Sequence, residues 1–197
     1  AQDINAVKGG DGIDGLLGLI KTNRPDLRLR PDDFWGWSTG ARFYPLMYLL
    51  ARMGHARDWG SGVELNSHLL GKNSSLDVHH IFPKKVLYDA GYNKSMVNQL
   101  ANYAFLTRET NLEISDKFPS DYLPSYVAAN PGAVESHAVP IDDPAIWELG
   151  SYEAFLARRR ELLAEKANAI LSALYEGKNL GELPAAPKQP GSASVFD

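Results

Sequence analysis

The sequence predicts an α+β fold, mainly helical, with one small pair of strands in its middle third. Three observations lead there. Apolar residues recur at helical spacing toward both ends, β-type runs occur at 76–82 and 103–106, and Thr107 stands where it can cap a helix directly after the second run.

Taken in order, Ile13, Leu16, Leu17 and Ile20 form a helical stripe, which Gly9, Gly10, Gly12, Gly15 and Gly18 weaken. A firmer helix is expected after Ser38 and Thr39, with Pro45 near its first turns. Phe43, Leu46, Met47, Leu50 and Met53 share one face, and Gly54 can end it. From Ser75 the pattern becomes a strand over 76–82, stopped by Pro83, which lacks a backbone donor for a ladder. A short helix over 84–90 ends at Gly91. The second strand, 103–106, leads into a helix from Arg108 to about Asp116, and a further helix is expected over 122–129. Ser151 can cap the longest helix, whose stripe runs from Phe155 through Leu163 and Ile170 to Gly177. The chain thus divides into an N-terminal helical part (1–74), a central strand-loop-strand-helix core (75–130), a C-terminal helical part (131–182) and a proline-rich disordered tail (183–197).

The 197 residues are enough for one substantial domain or two small ones. No apolar run approaches the roughly 20 residues that span a bilayer, and the start lacks a secretory pattern, so a cytoplasmic protein is expected with no membrane partner. The opening Ala-Gln-Asp, without an initiator methionine, reads as an excised fragment. With no cysteine, disulfides and thiolate chemistry are excluded, and any metal must use His, Asn, Asp or Glu. A net charge of −4 argues against a broad basic clamp for nucleic acid. Residues 21–60 nevertheless carry seven basic against four acidic residues, whereas 131–197 carry six against ten. The basic surplus lies in the N-terminal half.

The chemistry concentrates in Asp77-Val-His-His-Ile-Phe-Pro83. Two adjacent imidazoles in an apolar run need partners, and each can serve as a base near neutral pH or as a neutral metal ligand. Neighbours on a regular strand point to opposite faces, so His79 and His80 can share a site only if the strand end is distorted. A regular strand would instead put Asp77 beside His79 and make Asp77 the competing ligand. Taken singly, the histidines read as satisfied core residues, and Asn102 and Asn111 as turn and cap residues.

Together with Asn102-Tyr-Ala-Phe-Leu-Thr-Arg-Glu-Thr-Asn111 and Ile114-Ser-Asp-Lys-Phe-Pro119, the motif resembles the ββα-metal fold of the His-Asn-His endonuclease superfamily. The branch it looks most like is the nuclease half of modification-dependent type IV restriction enzymes and related phage-defence proteins. Asp-Tyr-Leu at 121–123, Trp147 and the Phe155-Leu-Ala-Arg-Arg-Arg160 helix extend the likeness. The resemblance implies a metal-dependent endonuclease whose partner is DNA. It implies His79 and Asn111 as metal ligands and His80 as the general base, with Asn102 orienting His80 or bracing the loop between the strands. The last motif residue is asparagine rather than the name-giving histidine. An amide oxygen favours Mg²⁺ or Mn²⁺ and puts Zn²⁺ in doubt. Arg108 and Lys117, with Lys84 and Lys85, flank the motif as candidate phosphate contacts. In proteins of this kind a nucleotide-hydrolysing sensor domain precedes the nuclease, and nothing here resembles a phosphate-cradling GxxxxGK[ST] loop. The alternative is a nucleic-acid-binding or partner-docking module with a decayed active site. His55 and His68 are expected in loops, and His137 in a structural role or, alternatively, as a substrate contact. Arg158, Arg159 and Arg160 point in different directions around their helix, so at most part of that run can face DNA.

Overall fold

The computed structural model describes residues 5, 12–25, 27–65 and 76–177. The expected tail, His68, Gly9 and Gly10 lie outside them. The described residues form seven α-helices, several 3-10 turns and one two-stranded antiparallel sheet, the mainly helical α+β architecture read from the sequence.

Helix α1 spans Gly12–Asn23. Helix α2, Tyr44–Met53, starts later than its expected caps, because Ser38 adopts a left-handed turn at φ 69° and Phe43 takes the cap position ahead of Pro45. Gly54 ends it as expected.

Strand β1, Leu76–His80, stops two residues short of the expected 82. Ile81 is already outside the ladder, its amide donating to the carbonyl of Asn102 at 2.9 Å. After Pro83 come α3, Lys84–Asp89, and a one-turn α4, Lys94–Val97, which sequence periodicity is too short to reveal. Strand β2, Tyr103–Thr107, pairs with β1 in a regular register from Leu76↔Thr107 to His80↔Tyr103. Helix α5, Arg108–Ile114, follows at once; the Thr107 side chain accepts from the amide of Thr110, as a cap residue should.

Helix α6, Pro119–Ala129, begins three residues before the expected 122, since Pro119 fits a first helical turn whose amides have no partners. The last helix, α7, Tyr152–Tyr175, is the spine of the core. Tyr152, Phe155, Leu156, Leu163, Ala167 and Ile170 form its buried stripe, with Arg159 enclosed among them. Phe82, just past β1, is fully buried against Tyr152 and Phe155, with ring centroids 4.9 and 5.0 Å away. Truncating it to alanine should cost about 3–5 kcal/mol. This packing anchors the end of β1 to α7 and so fixes where the two histidines sit.

Candidate functional site

The β1–β2 ladder is regular through His80, so alternation sends His79 and His80 to opposite faces. No distortion brings them together. The regular strand instead places Asp77 and His79 on one face, where α5 delivers Asn111 between them. Asn111 Nδ2 donates to Asp77 Oδ2 at 3.1 Å, and its Oδ1 lies 2.8 Å from His79 Nδ1. Because the carboxylate must receive the amide N–H, the oxygen of Asn111 is the atom turned toward His79.

His79 is 3% exposed, enclosed by Trp59 and Tyr122 with ring centroids 5.6 and 5.9 Å away. Burial, and then Arg159, push its pKa down to about 4 against the pull of Asn111, so the ring is neutral at pH 7. Its Nε2 is 3.3 Å from the Tyr122 hydroxyl, which itself donates to the carbonyl of Ile81 at 2.9 Å. Burial raises the Tyr122 pKa and keeps that proton in place. Each ring nitrogen of His79 therefore faces an oxygen that can accept. With the proton on Nδ1, Asn111 receives it; with the proton on Nε2, Tyr122 receives it, and Nδ1 and Asn111 Oδ1 present two lone pairs 2.8 Å apart. Neighbouring ligands of an octahedral ion held at about 2.1 Å lie about 3.0 Å apart. A carboxylate, an amide oxygen and an imidazole without any sulfur suit Mg²⁺ or Mn²⁺. The residue types therefore suit such an ion, with His79 Nδ1 and Asn111 Oδ1 facing one another and Asp77 at the N–H₂ end of the same amide. Among the described residues no cluster of three His, Cys, Asp or Glu side chains occurs, so an ion here depends on the Asn111 amide.

On the opposite face, His80 is half-buried. Its Nε2 lies 3.2 Å from Asn98 Oδ1, and Asn98 spends its N–H groups on the Lys94 carbonyl and the Tyr88 hydroxyl. His80 Nε2 is thus the donor, which leaves the lone pair on Nδ1. Burial, then Lys84, lower its pKa to about 4, so that lone pair is free at neutral pH.

Asn102, fully buried, makes no hydrogen bond to His80. It accepts from the Phe82 amide at 2.8 Å and donates to the carbonyls of Phe82 and Val97, each at 3.1 Å, bracing the loop between the strands. Arg108 is exposed at the start of α5, and Lys117 donates to the Glu113 carbonyl past its end. Lys84 is exposed beside His80, whereas Lys85 pairs with Asp89.

His55 lies in a loop, paired with Glu64. His137 is buried, its Nε2 donating to the Arg57 carbonyl at 3.0 Å. The arginine run splits three ways: Arg158 pairs with Asp142 and Glu161, Arg159 is enclosed and donates to the carbonyls of Ala101 and His137, and Arg160 lies 4.2 Å over the Trp35 ring.

Sequence reasoning missed Asp58. It is fully buried, and one carboxylate oxygen accepts the Thr107 amide at 2.8 Å while the other accepts the Thr110 hydroxyl at 2.6 Å and the Ser61 amide at 2.9 Å. Asp58 thereby pins the start of α5, one residue before Asn111. The turn that carries it needs Gly60, where a Cβ would sit 2.5 Å from Thr110 Oγ1. Asn98 was missed as well, since a lone asparagine four residues after Lys94 carries no periodic signal.

Neither a protein-family profile, nor a curated protein, nor a solved structure matches this chain.

Proposed function

We propose that this chain is the nuclease part of a restriction or phage-defence protein, a metal-dependent DNA endonuclease of the His-Asn-His type. The observation that carries the reading is the convergence of Asp77, His79 and Asn111 between β1 and α5, with His80 one residue away at the strand end. Asp77, His79 and Asn111 would hold Mg²⁺ or Mn²⁺. When bound, the ion supplies positive charge to a phosphodiester and its leaving oxygen.

The chain's own residues do the rest. Among the described residues the sheet has two strands, so β1 pairs with β2 along one edge and has no strand partner along the other edge. A phosphodiester laid along that edge meets the Asp77 face on one side and His80 on the other. Asn98 holds His80 with Nδ1 unprotonated, ready to take a proton from an attacking water. Asn102 keeps the intervening loop from shifting either histidine. Arg108 and Lys117, both exposed, would contact flanking phosphates, and a sensor domain elsewhere in a longer protein would supply regulation.

The opposite-face placement of the two histidines favours one competing reading, a nucleic-acid-binding module that no longer cuts. Supercoiled plasmid with Mg²⁺ or Mn²⁺ separates the two. Nicked circles are expected first from a single site, and their absence at every enzyme and metal concentration would leave the binding module.

A further inference from the structure

Two exposed aromatic residues, Trp37 and Tyr88, lie on segments that meet the Asn98-Gln99 turn behind His80, and nothing in the proposed hydrolysis uses them. Trp37 is 46% and Tyr88 45% exposed. Trp37 forms an isolated antiparallel bridge with Gln99, and the next amide, Ser38, donates to the Asn98 carbonyl at 2.9 Å. Tyr88 approaches the same asparagine, its hydroxyl 3.5 Å from Asn98 Nδ2. Asn98 is the residue that holds His80. The Tyr88 hydroxyl and the Trp37 backbone therefore both adjoin the short Asn98-Gln99 segment, whose Asn98 side chain contacts the candidate base.

Trp35, itself 55% exposed, carries the Arg160 guanidinium 4.2 Å over its ring, whereas the Trp37 indole has neither a ring nor a hydrogen-bond partner among the described residues. Two lysines, Lys84 and Lys94, lie on the neighbouring helices, beside the Lys85–Asp89 pair. Lys84 acts on His80 electrostatically, Lys94 gives its carbonyl to Asn98, and neither lysine has an acidic partner among the described residues.

We propose that Trp37 and Tyr88 form a stacking platform for unpaired nucleobases of single-stranded DNA next to His80. This rests on the nuclease reading for its orientation toward His80. A duplex keeps its bases stacked inside and offers such rings only backbone. A single strand offers a π-face at every nucleotide, and the lysines meet its phosphates. The platform thus assigns the site unpaired or locally opened DNA as its substrate class.

The test uses the full chain in EDTA, where cleavage is blocked, with labelled oligo(dT) and a duplex of equal length followed by fluorescence anisotropy. Single strand should bind at least about tenfold tighter than duplex and quench tryptophan emission. Trp37→Ala should lose about 10- to 100-fold in single-strand affinity, with Trp37→Phe retaining most of it. Tyr88→Ser should weaken binding and Tyr88→Phe should not. Equal affinity for duplex and single strand, or a Trp37→Ala variant that is folded by circular dichroism yet binds oligo(dT) like the parent, would overturn the proposal. Trp37-dependent binding without plasmid cleavage in any metal would uphold the platform and sink the nuclease reading. Cleavage with Trp37-independent binding does the reverse.

Discussion

Nδ1 of His79 lies 2.8 Å from Oδ1 of Asn111, and the same amide donates to Asp77, so three residues from β1 and α5 form one connected donor set. If this set holds a divalent ion, His79→Ala, Asn111→Ala and Asp77→Ala should each lower Mn²⁺ affinity at least about tenfold by calorimetry. Part of the lost cleavage should return at high Mn²⁺, because a saturating ion compensates for a missing ligand. An unchanged Mn²⁺ isotherm in all three folded variants would remove the metal from this site.

His80 should fail differently. Its ring is on the other face and contributes no ligand, so His80→Ala should keep Mn²⁺ and DNA affinity. The cleavage rate should drop by roughly 10²- to 10⁴-fold, with no recovery at high metal. Near-normal cleavage by His80→Ala, beside complete loss in Asp77→Ala, would place all the chemistry on the Asp77 face and reassign the base.

The strand-helix order was legible because it rests on local rules, of which Thr107 as a cap is the clearest, whereas the linking of His79 with Asn111 comes from what the resemblance implies. Strand alternation made Asp77 visible as a competitor. What was not legible depends on long-range contacts. Asp58 reaches Thr110 across 52 residues, and nothing in Arg57-Asp58-Trp59-Gly60 marks that carboxylate as buried. Tyr122 lay in a segment that carried the resemblance, but its hydrogen bond to Ile81 needs α6 folded back over β1. Arg159 belongs to a run of which at most part could face DNA, and only its hydrogen bonds to the Ala101 and His137 carbonyls show it as the interior member.

The Asp58 contacts give a second, structural route to the site. Burial alone would raise the Asp58 pKa, but hydrogen bonds from Thr110, Ser61 and Thr107 outweigh it and hold the carboxylate ionised. Asp58→Ala leaves those donors unpaired and should cost about 3 kcal/mol or more in denaturant unfolding. Asp58→Asn keeps an accepting oxygen and should cost less. In Asp58→Asn, looser anchoring of α5 should weaken Mn²⁺ binding although no ligand has changed. Intact Mn²⁺ affinity in a destabilised Asp58→Asn protein would show that Asn111 is positioned by something else.

The buried His137 supplies a pH dependence free of the site. Burial, then Lys166, lower its pKa to about 3, with Arg159 adding to the effect and the Arg57 carbonyl and Asp58 opposing it. The folded protein therefore excludes a proton that the unfolded chain binds below its ordinary pKa of about 6.5. Stability from this group is fully present above pH 6.5 and is lost as pH falls toward 3. The slope approaches 1.4 kcal/mol per pH unit, roughly 5 kcal/mol over the window. Lys166 and Arg159 stay protonated in both states through this range, since burial lowers them only to about 8 and about 9. His137→Gln keeps a donor for Arg57 but does not titrate, so its denaturation free energy should be lower at pH 7 yet fall less steeply between pH 6 and 4. Parallel slopes for the two proteins would mean that His137 becomes protonated without unfolding the chain.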